Sequence, residues 1–261
     1  CASAAGSRKR GAAVILTIAR HELRRLFLSP LAWVILAVVE FILAWMFLQH
    51  VESFLTIQSQ LLGVNGEYGV TEVIATPLFG NAAIVLLLVV PLISMRLVTE
   101  ERRNKTLPLL FSAPLSMTEI VLGKYLGLHT FLLIQLLLIT LMPLSLLAGG
   151  GLDFGLLASA LLGLALLLGG FAAVGLFMST LTQHQTVAAV STFGVLLFFW
   201  LLDWARTGTG GGALPYLSLL NHTEPFLRGL FDTRDVVYHL LFIATFLALS
   251  VRRLDMDRLA G

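Results

Sequence analysis

Charged residues gather in one short segment of an otherwise apolar chain, namely Glu100, Glu101, Arg102, Arg103 and Lys105. The second glutamate lies four positions before the lysine, an order that favours an ion pair on one face of a helix. An apolar stretch, residues 107–111, follows at once and contains Leu109 and Leu110. Exposed apolar surface of this kind suggests docking onto a partner protein or the bilayer surface. A solvated connecting loop is equally compatible with the spacing.

A second ionisable residue stands out because Glu40 lies near the middle of a long apolar run. An ionised carboxylate at the centre of a bilayer costs about 2.5–3.5 kcal/mol on insertion scales. We therefore expect it to face protein or water, or to be protonated. It could line a translocation path or the seam between subunits; alternatively, it is a protonated group hydrogen-bonded to a neighbouring helix.

The motifs of common catalytic and nucleotide-binding sites are missing from the sequence. It contains no G-x-x-x-x-G-K-[ST], no H-E-x-x-H and no G-x-S-x-G. The glycine-rich run at 208–212 lacks the Lys-Ser/Thr pair of a phosphate-binding loop, so we interpret it as a flexible linker. One cysteine cannot form a disulfide framework or a cysteine-based metal site. We expect no catalytic residue, cofactor or metal in this chain.

Composition indicates how these residues are positioned. Of the 261 residues, 57% are hydrophobic and only 12% are charged, whereas soluble domains carry about 25% charged residues. Stretches of about 20 apolar residues are long enough to span a bilayer as helices. The sequence predicts an all-α integral membrane protein forming one domain over 1–261. Its six predicted spans are 31–48, 78–98, 121–147, 155–181, 183–204 and 233–251.

Signals of helix initiation precede most of these spans. Ser29 and Thr76 each stand before a proline, an arrangement typical of a helix N-terminus. Residues 116–119 and 182–185 fit capping boxes, in which a hydroxyl and an acidic or amide side chain satisfy the first backbone N–H groups. Asp153 is a further candidate cap, and residues 232–235 open the last helix.

The distribution of basic residues predicts the orientation. Of the 17 Lys and Arg residues, 14 lie before the first span, in the region that connects the second and third spans, or in the C-terminal tail. Cytoplasmic loops are enriched in Lys and Arg, and six spans place these three regions on one side. We expect both termini in the cytoplasm.

Residues 12–28 have the pattern of an amphipathic helix. Leu16, Leu23 and Phe27 share a face, while the basic residues lie elsewhere around the helix. Such a helix lies in the membrane interface with its cations toward lipid headgroups. Simple anchoring and a role in gating both fit this pattern.

Two blocks of sequence carry a likeness to a known family. Residues 96–110 resemble the R…E-E…T-x-x-L-L segment of type-2 ABC exporter permeases, although Pro108 departs from the pattern. Residues 112–124 resemble the S-P-x-S-x-x-E-I-V-x-G-K stretch of the same family. Residues 175–182 are similar to its helix 4 exit. Residues 229–238 resemble the entry to the last helix in one subgroup, which contains the permeases of gliding-motility and nitrous-oxide-reductase-maturation transporters.

This resemblance implies a subunit of the bacterial inner membrane that does not hydrolyse ATP itself. The transporter would be completed by a second permease, identical or related, and by two copies of a cytoplasmic ABC ATPase that bind ATP and magnesium. An accessory protein of the periplasm or membrane is a further expected partner. No nucleic acid is expected to bind. The segment from Glu100 to Lys105 with Leu109 and Leu110 would be a cytoplasmic coupling helix between spans 2 and 3, contacting the ATPase. Helices 1 and 5 would form the seam between permeases.

Two functions remain open on the sequence alone. The complex would move or extrude a substrate out of the cytoplasm or inner membrane. Alternatively, it would relay ATPase motion to a periplasmic partner without a substrate crossing the membrane.

Overall fold

The computed structural model describes residues 2–61, 71–106, 115–148, 152–202 and 217–260. All regular structure within these ranges is helical, as the composition predicts. The α-helices, in chain order, are α1 (Ala2–Leu28), α2 (Pro30–Leu61), α3 (Thr76–Ser94), α4 (Thr99–Arg103), α5 (Met117–Ser145), α6 (Phe154–Leu181), α7 (Gln185–Leu201), α8 (Glu224–Leu227) and α9 (Thr233–Ala260). A π-helical turn, Thr71–Ala75, leads into α3, and a 3₁₀ turn, Leu146–Ala148, follows α5.

A single residue, Ser29, separates α1 from α2. The Ser29 amide donates to the carbonyl of Leu26 at 3.0 Å, and its own carbonyl accepts from the amide of Ala32 at 3.1 Å. The Trp33 indole adds a hydrogen bond to the carbonyl of Phe27 at 2.8 Å. The predicted start at Ser29-Pro30 is therefore the corner between two consecutive helices. The N-terminal helix extends well before the predicted residue 12.

Two helices extend beyond the predicted ends of their spans. α2 continues from the predicted end at 48 to Leu61, so the first part of the predicted loop is helical. α9 continues past 251 to Ala260. Hydropathy locates the apolar part of a helix, and the polar turns that follow it retain helical backbone without contributing to that signal.

α6 is the central helix and packs against α3, α5, α7 and α9. In its most apolar stretch 67% of the residues are buried, compared with 28% in α2 and 22% in α9. Small residues allow this crowding because they let neighbouring backbones approach closely. At Gly163 an added Cβ would collide with the Cβ of Phe226, and at Gly175 it would collide with Ser94.

Five helical stretches in the described ranges are long and apolar enough to cross a membrane: Pro30–Thr56, Thr71–Arg103, Met117–Ser145, Phe154–Leu181 and Thr233–Leu259. The remaining predicted span corresponds to α7, which has 17 residues and stands at the lower end of the usual range for spanning helices. The chain is therefore a multi-pass membrane protein, and a sixth span remains a prediction.

The predicted caps have mixed outcomes. Ser116 and Glu119 form the expected capping box, and Asp153 accepts from the amides of Gly155 and Leu156. The box at 182–185 is wrong, because α7 begins at Gln185 with no side-chain cap. Thr76 does not cap α3 either: its hydroxyl donates to the carbonyl of Leu227, 3.1 Å away.

Candidate functional site

The charged segment of the sequence forms α4, which follows a turn at residues 95–98. Leu97, Val98 and Thr99 are buried, and the Thr99 hydroxyl donates to the carbonyl of Met95. The helix ends before Lys105, whose φ of 55° is left-handed. Such a φ is uncommon for a residue with a Cβ and prevents the helix from continuing. Buried anchors on one side and this stop on the other fix α4 against the bundle.

Lys124 of α5 is the centre of an ion-pair network that includes α4. Its Nζ donates to Glu22 Oε1 at 2.6 Å, to Glu101 Oε1 at 2.5 Å and to the carbonyl oxygen of Leu97 at 2.8 Å. These contacts use all three donors of the ammonium group. The lysine side chain is only 3% exposed, so its charge depends on these partners for stabilisation. The network joins α1, α4 and α5.

A second ion pair connects α1 to α4 closer to solvent. Arg25 Nη2 donates to Glu100 Oε2 at 2.6 Å, and both side chains are about one-third exposed. Exposed pairs of this kind contribute about 0–1 kcal/mol. This pair therefore orients α4 more than it stabilises the fold.

Arg102 connects α4 to the C-terminal helix. Its guanidinium donates to the Asp257 carboxylate of α9 and to the carbonyl oxygen of Thr180 at the end of α6, the latter at 2.8 Å. Arg253 lies 3.5 Å from the same aspartate. Through these contacts a five-residue helix is bound to α1, α5, α6 and α9.

The close approach of α1 to α5 depends on two glycines of α5. A Cβ at Gly123 would lie 2.6 Å from Ile18, and one at Gly127 would lie 2.7 Å from the Cβ of Glu22. Their spacing of four places both on one helix face, the small-xxx-small arrangement that brings helices together. Glu22 reaches Lys124 because α1 lies this close. α1 is therefore packed along α5 as well as being amphipathic.

Glu40 has a partner within the protein. Gln135 Nε2 of α5 donates to Glu40 Oε1 of α2 at 2.6 Å, and the glutamine is 1% exposed. This contact matches the interpretation of Glu40 as a group hydrogen-bonded to a neighbouring helix. Among the described residues, the structure brings no group of three or more His, Cys, Asp or Glu side chains into a metal-binding arrangement.

A polar cluster near α8 was not anticipated from the sequence. His222 Nδ1 lies 2.6 Å from Asp235 Oδ1, and its ring stacks on Tyr238 with centroids 3.9 Å apart. His239 Nδ1 donates to the carbonyl oxygen of Asp235 at 2.9 Å, and its Nε2 lies 3.3 Å from the Thr223 hydroxyl. These contacts fasten the segment before α9 to that helix.

Comparison with known protein families gives a match over most of the chain. The family model for ABC-2 family transporter proteins matches residues 16–230. This chain belongs to the ABC-2 transporter family. A search of curated proteins found no match. The match confirms the resemblance at the level of the family, and with it an ABC-2 permease subunit. It ends before most of the 229–238 motif, so the likeness to the narrower subgroup remains a prediction.

In this ABC-2 permease the predicted coupling residues separate into two sets. Glu100, Glu101 and Arg102 are paired with helices of the same chain, as described above. Arg103 and Lys105 are exposed. Leu109 and Leu110 lie outside the described residues. The internal partners Glu22, Lys124 and Asp257 were missed; only Lys124 had a signal, because it ends the second motif of the family resemblance.

Substitutions of Glu40 should separate its two interpretations. Leucine removes the acceptor and leaves the buried amide of Gln135 without its partner, which costs about 1–3 kcal/mol. Glutamine retains an acceptor oxygen, so we expect Glu40→Gln to unfold close to the native protein and Glu40→Leu to unfold earlier. Thermal unfolding in detergent measures this, and a transport assay on the same variants tests the pathway. Normal stability and normal transport in both would contradict any role for this carboxylate.

Proposed function

We propose that this chain is the membrane subunit of an ATP-driven exporter. Two permeases, this chain twice or this chain with a relative, associate with two copies of a cytoplasmic ABC ATPase that binds ATP and magnesium. The permease crosses a bacterial inner membrane with six spans. Both of its termini lie in the cytoplasm. ATP-driven motion moves a substrate outward from the cytoplasm or the membrane.

The ion pairing of α4 is the observation that supports this proposal. A coupling element has to receive force on one face and pass it to the spans through the other. Glu101 and Arg102 connect α4 to α5 and α9, while Glu100 connects it to α1. A displacement of α4 would therefore reach three long helices at once.

The exposed cations of the same segment suggest where the ATPase binds. Arg103 and Lys105 are exposed at the end of α4, and neither has an ion-pair partner among the described residues. Charge complementarity across an interface raises association rates and selects partners. We therefore propose that these two side chains face an acidic patch of the ATPase.

Reversing both exposed charges should weaken ATPase binding without unfolding the permease. Like charges brought together at an interface cost several kcal/mol. We expect Arg103→Glu with Lys105→Glu to reduce co-purification of the ATPase at least about tenfold, at an unchanged unfolding temperature. The measurement is a pull-down of the co-expressed ATPase together with the ATPase rate of the complex.

Arg234→Glu is the control. Arg234 is an exposed arginine at the N-terminal end of α9, whereas α4 contacts the C-terminal end of that helix through Asp257. This variant should retain ATPase binding. Native-like binding and coupling in the double variant would rule out this face of α4 as the contact. Reversal of Glu100 and Glu101 would not isolate the contact with the ATPase, because their internal ion pairs would be lost at the same time.

A further inference from the structure

A crevice of about 170 Å³ lies between α1, α2 and α3, beside the ion-pair network. A water molecule occupies about 30 Å³ in the liquid, so the crevice has room for a group of several heavy atoms. Its polar part includes Glu22, Arg25, Ser29, Arg96 and Glu100, and its other walls are apolar. It therefore combines a charged end with an apolar one.

Arg96 is the charge in this crevice that lacks a partner among the described residues. Its Nε is buried without a hydrogen-bond partner, and no carboxylate of the described chain forms an ion pair with it. The neighbouring Arg25 is occupied by Glu100, and Glu22 is occupied by Lys124. A guanidinium is always protonated in proteins, and it binds carboxylate or phosphate oxygens through a planar set of donors.

The crevice lies where two helices leave the apolar part of the bundle. α2 begins at Pro30 and α3 ends at Ser94, so Arg96 lies in the turn just beyond α3, near one end of the apolar stretch Thr71–Arg103. Ile35 and Leu92 line the apolar part, and Leu92 is 44% exposed. In a bilayer this level corresponds to the lipid headgroups, with the apolar walls directed toward the acyl chains.

We propose that the crevice binds an anionic phospholipid. Its phosphate accepts hydrogen bonds from Arg96, and the beginning of an acyl chain lies along Ile35 and Leu92. Basic pockets between spanning helices are known to hold such headgroups. The lipid stabilises the junction of α1, α2 and α3 next to Glu100, whether or not a lipid is also the transported substrate.

The test measures lipid retention by the purified full-length chain in detergent. Native mass spectrometry counts bound lipids after titration with phosphatidylglycerol or phosphatidylcholine, and thermal unfolding follows the same titration. The native chain should prefer phosphatidylglycerol. Arg96→Gln should weaken this binding about tenfold, the loss expected for one charge-assisted hydrogen-bond site. Arg234→Gln removes an equal charge from an exposed position at the start of α9, outside the crevice, and should leave binding unchanged.

Arg96→Lys keeps the positive charge but not the planar set of donors, and it should bind phosphatidylglycerol a few-fold more weakly than the native chain. If Arg96→Gln cannot be purified in folded form, the lipid binding of Arg96→Lys tests the proposal in its place. Equal retention by the native chain and the available Arg96 variant would overturn the proposal. Equal binding of both lipids, or the same thermal shift with inorganic phosphate alone, would also overturn it.

Discussion

Replacing Lys124 with methionine should lower the free energy of unfolding by about 3–5 kcal/mol, the usual cost of removing one partner from a buried ion pair. The lysine is 3% exposed, and its partners Glu22 and Glu101 have side chains 5% and 19% exposed. Without the ammonium group, two carboxylates would remain close together in a site of low dielectric constant. Denaturant titration or thermal unfolding in detergent provides the measurement.

A triple variant tests whether this loss arises from the unpaired carboxylates. Lys124→Met combined with Glu22→Gln and Glu101→Gln removes all three charges, and we expect it to recover most of the stability lost by the single variant. Arg103→Met is the matched control, since it removes an exposed cation and should change stability by less than about 0.5 kcal/mol. If the single Lys124 variant unfolded like the native chain, Lys124 would not hold α1, α4 and α5 together.

Adding one methyl group at Gly163 or Gly175 should also destabilise the fold strongly. An alanine Cβ would overlap Phe226 in the first case and Ser94 in the second, and all of these neighbours are fully buried. Overpacking of this kind costs about 1–3 kcal/mol and occasionally more. We expect lower unfolding temperatures for Gly163→Ala and Gly175→Ala, and reduced yields of folded protein.

The chain provides controls for which the opposite sign is expected. Apart from its chain neighbours and the backbone of its own helix, an added Cβ at Gly80 or Gly194 would have no described atom within 4 Å. Alanine is favoured over glycine inside a helix by about 1 kcal/mol. Gly80→Ala and Gly194→Ala should therefore match or exceed native stability. Ser94→Gly in the Gly175→Ala background removes the overlapping Cβ and hydroxyl and should restore part of the loss, which a double-mutant cycle would quantify. Destabilisation by all four alanine substitutions alike would instead indicate a general effect of glycine removal.

Features that depend on local sequence were predictable, whereas the pairing of distant charges was not. The helical class and the starts of α5 and α6 follow from hydropathy, from Ser116 with Glu119, and from Asp153. The Lys124–Glu22 contact joins residues 102 positions apart. No periodicity encodes such a pair, because it exists only once α1 has packed along α5.

Sequence spacing also cannot separate the charges of α4 that face the bundle from those that face an external partner. Sequence spacing shows which residues share a helix face, but the face directed at the bundle depends on tertiary packing. The glycines at 123 and 127 did carry a readable signal, since their spacing is typical of a helix contact. Without a neighbouring helix assigned to it, that signal predicts close packing and leaves the partner unnamed.

The one-residue corner at Ser29 joins α1 directly to the first span, α2. At 1.5 Å per residue, the 27 residues of α1 form an arm about 40 Å long. A tilt of about 10° of the first span, passed rigidly around the corner, would swing the far end of that arm by about 7 Å. The Lys124–Glu22 ion pair and the packing of α1 along α5 would oppose that swing, so a rotation of the first span would act on α5 as well as on the N-terminal turns.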